Sequence, residues 1–330
     1  MQQLDRGFLY YEFFAGTGMA RAGLGNEWHC LFANDCDELK KTFYKRNWQD
    51  EHFDGRDIAL VETSDLHGLA DLAWASFPCQ DVSLAGAQLG IGAADGNMAT
   101  RSGAVWPFLR LVRELAQDGR HPVLLTLENV TGLLSSNEGA DFRSLCTALG
   151  DLGYRFGAVV ADAAHFVPQS RPRVFIIAVR QEVPLPAHLQ NELPGNPWHS
   201  QSLLRAKAGL PANVAANWVW WSLGDVPVSS ATTLADIVDL SDQAEWNTDE
   251  ATSRLVGMIS DIQRKRLDAA KQSRKLMIGS LYLRMRPHGK DGNIASLWFL
   301  VVPNHLAASL LIGSTLLFVI PKVLRQMAPH

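Results

Sequence analysis

Short runs of apolar residues alternate with helical patterns over the first half of the chain. Nearly continuous apolar runs predict strands that are buried on both faces, as in the middle of a parallel sheet. The predicted strands are Phe8–Phe14, His29–Asn34, Leu69–Ala75, Val123–Leu127, Arg155–Ala161 and Val174–Val179. The predicted helices are Met19–Leu24, Glu38–Tyr44, Val105–Leu115 and Asp141–Leu149. This alternation predicts an α/β fold with a doubly wound sheet, whose last two strands are close enough in sequence to pair antiparallel.

A glycine turn, Ala15-Gly16-Thr17-Gly18, joins the first predicted strand to the first helix. Strand, glycine turn and helix form the βα unit that binds nucleotides. Arg21 stands where a dinucleotide fingerprint has its third glycine, which disfavours an NAD-linked dehydrogenase. Asp35 follows the strand His29–Asn34, where it can accept hydrogen bonds from a ribose or cap the next helix. Asp57, between Gly55 and Ile58, is expected at the end of a further short strand that precedes Leu69–Ala75. The pattern favours an adenosine-type ligand that needs no diphosphate.

Cys79 follows a predicted strand and Pro78, which cannot donate to a strand ladder. A free cysteine is more often a buried structural residue than a nucleophile. Glu128, at the end of the next predicted strand, is costly there unless it is solvated or paired. Arg171 and Arg173 alternate, and therefore face one side of an extended segment. The glycine-rich stretch between Cys79 and Val105 predicts either a lid or an ordinary surface loop, with equal weight.

The composition bounds the possible partners. The chain has 330 residues, 47% of them hydrophobic, and a net charge of −4, so an anionic partner must meet a local basic patch. The candidate is Arg264–Lys290, with nine Lys/Arg and one acid, although Arg264–Arg266 alone is more typical of a solvated helix face. Four cysteines without a CxxC, and no secretory leader, predict a reducing cytosolic setting and no metal site.

Beyond about Gln181 the chain loses the strand–helix alternation. We predict a catalytic domain over 1–182, a target-recognition region over 183–293 and an atypical apolar tail over 294–330. Trp218, Trp220 and Trp221 are expected in the core of the small second domain. The uncharged run Leu306–Ile320 is shorter than the about 20 residues of a membrane span, which favours a buried helix or a segment foreign to this fold.

Four motifs together resemble the bacterial DNA cytosine-C5 methyltransferases. They are Phe14–Gly18 (F-A-G-x-G), Phe77–Gln80 with Ser83 and Gly86, Glu128–Val130 (E-N-V) and Pro168–Phe175 (Q-x-R-x-R). They occur in the family's order and extend from residue 8 to about residue 180. The resemblance implies a Rossmann-like fold that binds S-adenosylmethionine (AdoMet), followed by a smaller, irregular target-recognition region.

The resemblance also assigns roles to individual residues. Cys79 would add to C6 of a flipped cytosine, Glu128 would bind N3 and the exocyclic amine, Arg173 would brace the base, and Arg171 would brace the pocket. The residues assigned to the cofactor are Phe14, Gly16, Thr17, Gly18, Asp35, Cys36, Asp57, Ile58 and Pro78. Those assigned to DNA are Gln80, Ser83, Gln169, Arg284 and Arg286. Cys36 departs from the family pattern, in which an aromatic residue often follows the acid and stacks on the adenine.

The implied activity is methylation of duplex DNA by a monomeric cytoplasmic enzyme that is associated with the nucleoid and paired with a restriction endonuclease, without a metal or a membrane. Two alternatives remain: a degenerate relative that binds DNA or AdoMet without turnover, and a tRNA cytosine-5 methyltransferase. The family's last two motifs are missing after Asn293. A frame-shifted or replaced tail and a divergent natural helix both account for that, and the target sequence cannot be inferred.

Overall fold

The structure is a computed structural model. It describes residues 7–48, 52–79, 90–92, 101–195, 197–225, 248–257, 259–272, 278–287, 293–302 and 307–308. The strands are β1 Phe8–Phe13, β2 Trp28–Asn34, β3 Phe53–Asp54, β4 Leu72–Ala75, β5 Leu124–Val130, β6 Tyr154–Asp162, β7 Gln169–Ser170, β8 Pro172–Arg180, β9 Gln190–Asn191, β10 Trp220–Trp221, β11 Ile278–Pro287, β12 Asn293–Val302 and β13 Ala307–Ala308. The helices are α1 Met19–Leu24, α2 Glu38–Trp48, α3 Val105–Gln117, α4 Ala140–Asp151, α5 Gln201–Ala208, α6 Ala212–Ala215, α7 Asp249–Gly257 and α8 Asp261–Gln272.

A seven-stranded sheet in the order β3-β2-β1-β4-β5-β8-β6 organises the larger part of the chain. The pairs β3–β2, β2–β1, β1–β4 and β4–β5 are parallel, and β8 runs antiparallel to β5. The carboxyl ends of β1, β2, β4 and β5 therefore meet at one edge. Because the chain order reverses between β1 and β4, that edge contains the switch point at which α/β sheets bind ligands. The predicted α/β doubly wound fold is confirmed.

The boundaries of the strands differ from the predicted ones in two informative places. β1 ends at Phe13 because Phe14 has a φ of 56°, in the left-handed region. β5 continues to Val130, so Glu128 lies within the ladder and pairs with Phe175 of β8. The core packs on both faces of the central strands, as the continuous apolar runs predict, with Phe13 in contact with Phe108 of α3.

The chain divides into two compact units, which we describe separately. The sheet unit contains the described residues up to Ala161 and from Pro172 to Asp225. It includes the tryptophan cluster: Trp221 is fully buried and its Nε1 donates to the carbonyl of Ile177 at 3.2 Å, while Trp218 packs on Phe156. The tryptophans are core residues, as predicted, but of the sheet unit rather than of a second domain.

The second unit contains Asp162–Arg171 and the described residues from 248 to 308. Its main feature is an antiparallel hairpin in which β11 pairs with β12 from Ile278↔Val302 to Pro287↔Asn293. β13 pairs in parallel with β7. Apart from Ala307 and Ala308, the apolar run Leu306–Ile320 lies outside the described residues, so both accounts of the tail remain open and the predicted domain boundaries stay predictions. No helix in the described ranges combines the length and the apolar content needed to span a bilayer.

Candidate active site

The glycine turn after β1 leaves open space beside a buried acid. Gly16 and Gly18 have φ values of 58° and 84°, which favour glycine. A Cβ atom placed on Gly16 would meet no atom within 4 Å. The Gly16 N–H donates to Asp35 Oδ2 at 2.9 Å. The turn predicted to approach a cofactor therefore lies directly against the acid predicted to hold its ribose.

Asp35 is anchored by the chain itself. Its side chain is 6% exposed, Oδ1 accepts a bond from the Asp37 N–H at 3.0 Å, and Lys40 Nζ lies 3.4 Å from Oδ2. A carboxylate has about four acceptor positions, so these contacts and the Gly16 bond leave room for one further donor. This arrangement holds the acid rigidly at the end of β2 with a position available to a hydroxyl group.

Two further predicted cofactor residues follow β3. Asp57 is exposed and accepts a bond from the Ala59 N–H at 2.9 Å, while Ile58 beside it is buried. Cys36 is exposed, and partial burial together with the charges of Asp35 and Asp57 raises the pKa of its thiol. Acceptors for a ribose and an amine, beside an open glycine turn, fit the chemistry of an adenosine-type cofactor such as AdoMet.

Cys79 emerges from β4 beside the E-N-V motif. β4 and β5 pair in parallel with Ala75 opposite Leu127, so the segments after these residues continue side by side. Asn129 is 2% exposed, and its Nδ2 donates to the carbonyl of Phe77 at 3.1 Å. Cys79, two residues later, is a half-buried cysteine outside any disulfide, at the margin of the core. Asn129 thus ties the cysteine segment to the strand that bears Glu128.

Glu128 is paired, as a carboxylate at this depth requires. Arg173 Nε lies 3.0 Å from Glu128 Oε1, and the two side chains are 15% and 20% exposed. The pair spans β5 and β8, which run antiparallel here. The partly exposed guanidinium group of Arg173 therefore fixes one oxygen of the Glu128 carboxylate. Glu128 is on β5, the strand next to β4, and β4 leads to Cys79.

The remaining predicted site residues are distributed differently. Pro78 is half-buried beside Cys79, and Phe14 and Thr17 lie in the glycine turn. Arg171 and Gln169 belong to the second unit, where the Arg171 N–H donates to Asp162 Oδ1 at 2.7 Å and Gln169 is 6% exposed.

The other residues assigned to DNA are less fully placed. Arg284 and Arg286 lie in β11. Gln80, Ser83 and most of the predicted lid lie outside the described residues. The roles assigned to these residues, and to Arg171 and Gln169, stay predictions.

A buried acid that the sequence pattern did not single out lies in β1, close to the glycine turn. Glu12 in β1 is 1% exposed, the Ala20 and Arg21 N–H groups of α1 lie near its carboxyl group, and the Tyr44 hydroxyl donates to its Oε2 at 3.4 Å. Burial raises the pKa of Glu12 to about 8, against an ordinary value of 4.5, despite these donors and the nearby Arg21 charge. An acid inside an otherwise apolar strand was the available signal.

This pKa predicts a pH-dependent stability. Between pH 4.5 and about 8, folded Glu12 keeps a proton that unfolded Glu12 has lost, so its effect on the free energy of unfolding becomes less favourable as the pH rises. From pH 5 to 8, chemical denaturation should show that Glu12→Gln gains roughly 3 kcal/mol relative to the wild type. The control Glu38→Gln removes a carboxylate that is 77% exposed, so its free energy of unfolding should change with pH as that of the wild type does. If Glu12→Gln also followed the wild type at every pH, this account would be wrong.

Asn129 makes a second prediction. Asn129→Ala removes the bond to the Phe77 carbonyl and therefore misplaces Cys79. For the methyl transfer that the resemblance implies, kcat should fall by about 10- to 100-fold, with little change in the KM for DNA or the KM for AdoMet. The control is Thr126→Val on the same strand, since Thr126 Oγ1 is buried and has no hydrogen-bond partner in the described structure. Equal kcat losses in the two variants, measured in steady state, would assign the effect to general packing.

Within the described ranges, no group of three His, Cys, Asp or Glu residues has the arrangement of a metal site.

Comparisons with known proteins point to one family. A profile of the C-5 cytosine-specific DNA methylase family matches residues 8–283. A DNA-cytosine methyltransferase of Escherichia coli (strain K12) is 29% identical over 212 residues, covering 54% of this chain and 44% of that protein. The Type II methyltransferases M.MspI of Moraxella sp and M.Sau3AI of Staphylococcus aureus are 30% and 32% identical, covering 56% and 52% of this chain and 43% of each relative. The chain spans less than half the length of these curated relatives.

Among solved structures, the Entamoeba histolytica methyltransferase EhMeth matches with a TM-score of 0.47 and 17% identity, over 78% of this chain and 68% of that one. The S. pombe Dnmt2 methyltransferase matches with a TM-score of 0.43 and 20% identity, over 54% of this chain and 52% of that one.

Proposed function

The chain belongs to the C-5 cytosine-specific DNA methylase family, and from this we propose that it transfers a methyl group from AdoMet to C5 of a flipped cytosine in a specific duplex DNA sequence. One observation carries the proposal: the Cys79 segment and the Glu128–Arg173 pair lie on neighbouring strands at the switch-point edge of the sheet and are joined by the Asn129–Phe77 bond. A thiol and a paired carboxylate in this arrangement suit attack on a pyrimidine ring.

The glycine turn and the acids at the same edge are proposed to hold AdoMet. The Gly16–Gly18 turn would approach the methionine moiety, Asp35 the ribose and Asp57 the adenine amine, with Ile58 and Cys36 beside the adenine ring. Phe14, Thr17 and Pro78 would complete the pocket. The cofactor, when bound, supplies an electrophilic methyl group.

Cys79 solves a problem of reactivity. C5 of cytosine is a poor nucleophile. A cysteine thiol, by contrast, adds readily to electron-poor carbon through its thiolate form, even when only a fraction of the thiol is ionised. The S–C6 bond forms and electron density moves to C5, which then takes the methyl group. Loss of the C5 proton and cleavage of the S–C6 bond restore the aromatic ring and free Cys79. Because neither ring atom is reachable inside a duplex, the base must leave the stack first.

Glu128 and Arg173 would stabilise the charge that develops on the ring. Glu128 would accept a hydrogen bond from the exocyclic amine and share a proton with N3, so that the negative charge brought by the thiolate does not build up on the ring. A group preorganised in this way needs little rearrangement during reaction. The ion pair with Arg173 keeps the carboxylate oriented at 3.0 Å. We assign Arg171 to bracing the pocket.

The proposed partner is duplex DNA. Arg264, Lys265 and Arg266 of α8 are exposed in the second unit and are candidates for phosphate contacts, together with Gln80, Ser83, Gln169, Arg284 and Arg286. The Type II names of the relatives support a role beside a restriction endonuclease. We further propose that the enzyme acts in the cytoplasm and at the nucleoid. We propose that the enzyme acts as a monomer.

Transfer of labelled methyl groups tests the proposal. Purified full-length chain is incubated with labelled AdoMet and, in parallel, with unmethylated duplex DNA and with tRNA. Incorporation at C5 of cytosine in DNA is expected. Incorporation in tRNA alone would favour the tRNA enzyme, and AdoMet binding without incorporation at high enzyme concentration would favour the inactive relative.

A further inference from the structure

Helix α2 braces the glycine turn from behind. Trp48, in its last turn, donates from Nε1 to the carbonyl of Thr17 at 3.1 Å, and Asn47 Nδ2 lies 3.4 Å from the same oxygen. Both side chains therefore act on the peptide between the two glycines. The carbonyl of Thr17 is fixed by a helix that is distant in sequence, not by the turn itself.

Trp48 also occupies the space beside Gly18. A Cβ atom on Gly18 would lie only 1.9 Å from Trp48 Nε1, and Gly18 has a φ of 84°. The absence of a side chain at this position is thus required twice, by the left-handed backbone and by the indole ring against it. On the cofactor side, Gly16 is open. The two glycines have different tasks: one faces the ligand and the other accepts the brace.

Arg21 locks the brace in place. Its guanidinium carbon lies 5.0 Å from the centre of the Trp48 ring, and its Nη1 donates to the Tyr44 hydroxyl at 3.4 Å. Tyr44 and Trp48 are four residues apart, and therefore on one face of α2. Arg21, which replaces the third glycine of a dinucleotide fingerprint, thus contacts both aromatic side chains of that face.

We propose that Trp48 is a positioning residue for the cofactor: through its bond to Thr17 and its contact with Gly18 and Arg21, it holds the glycine turn in the conformation that binds AdoMet. This inference rests on the proposed function, since it deepens the role of the same turn. A turn that is held in place before binding loses less conformational entropy on binding, so the brace contributes to affinity without touching the ligand.

The test is AdoMet affinity measured by isothermal titration of the full chain. Trp48→Phe keeps an aromatic ring against Gly18 and Arg21 but loses the Nε1–H donor, and it should weaken binding about fivefold. Steady-state assays should show a raised KM for AdoMet with kcat nearly unchanged. Asn47→Ala, at an exposed position that tolerates truncation, should weaken binding in the same direction by a smaller factor.

Trp28→Phe is the matched control, because Trp28 Nε1 is buried and has no hydrogen-bond partner among the described residues. It should leave AdoMet affinity at the wild-type value. Unchanged affinity in both Trp48→Phe and Asn47→Ala, with a wild type that binds AdoMet, would overturn the inference alone. A wild type that does not bind AdoMet would overturn the proposed function and the inference together.

Discussion

Replacement of Cys79 by serine is expected to lower methyl transfer by at least about 10³-fold while binding of DNA and AdoMet is retained. A serine hydroxyl is far less ionised than a thiol at neutral pH and is a weak nucleophile toward C6. The half-buried position of Cys79 after β4 accepts serine without loss of the fold. Labelled-methyl incorporation and fluorescence-anisotropy titration of DNA measure the two quantities separately.

Cys146→Ala is the control for this experiment. Cys146 is fully buried in α4, where burial raises the pKa of the thiol and leaves it unreactive. Assayed below its own melting temperature, Cys146→Ala should methylate DNA at a rate close to that of the wild type. Methyl transfer by Cys79→Ser at more than a tenth of the wild-type rate would exclude Cys79 as the nucleophile.

The Glu128–Arg173 pair has the second-largest expected effect. Glu128→Gln should lower kcat by about 10²- to 10³-fold, because an amide cannot supply a proton to N3 of the ring and does not form an ion pair with the arginine. Arg173→Lys should lie between this variant and the wild type, since lysine keeps the charge but loses the fixed orientation of the guanidinium. Single-turnover methylation at saturating DNA and AdoMet measures the chemical step directly.

The opposite end of β8 offers a matched control pair. Arg180 Nε lies 3.0 Å from Glu182 Oε1, the same atoms at the same separation as in the Glu128–Arg173 pair, but Glu182 is 62% exposed. Glu182→Gln should leave the single-turnover rate within about twofold of the wild type, because an exposed ion pair contributes little. A similar loss in both glutamine variants would mean that the charge acts on stability and not on catalysis.

The sequence was sufficient to predict which motifs meet. Apolar runs identified β1, β2, β4 and β5, and the resemblance implied that Cys79 and Glu128 act on the same base. The structure pairs β4 with β5 in parallel, so the two segments that bear these residues are neighbours. The prediction that Glu128 needs a partner followed from the cost of a carboxylate at the end of a buried strand. Arg173 is that partner in the structure, a contact that the resemblance, which assigned Arg173 to bracing the base, did not specify.

The supporting contacts were not predictable from the sequence alone. Glu12, Asn129 and Trp48 act through bonds to residues that are distant along the chain, at Tyr44, Phe77 and Thr17. Neither periodicity nor residue type identifies such partners, because the contacts depend on how helices and strands pack. The tryptophan cluster shows the same limit: its aromatic character predicted burial, but not which core it joins.

The most direct measurement of the central claim uses DNA in which the target cytosine has fluorine at C5. After Cys79 adds to C6 and C5 accepts the methyl group, C5 has no proton to lose, so the S–C6 bond should persist. Mass spectrometry of the digested complex is expected to find the methylated base attached to the peptide that contains Cys79. A stable adduct on another residue, or methyl transfer to unmodified DNA without any adduct on the fluorinated duplex, would contradict the account.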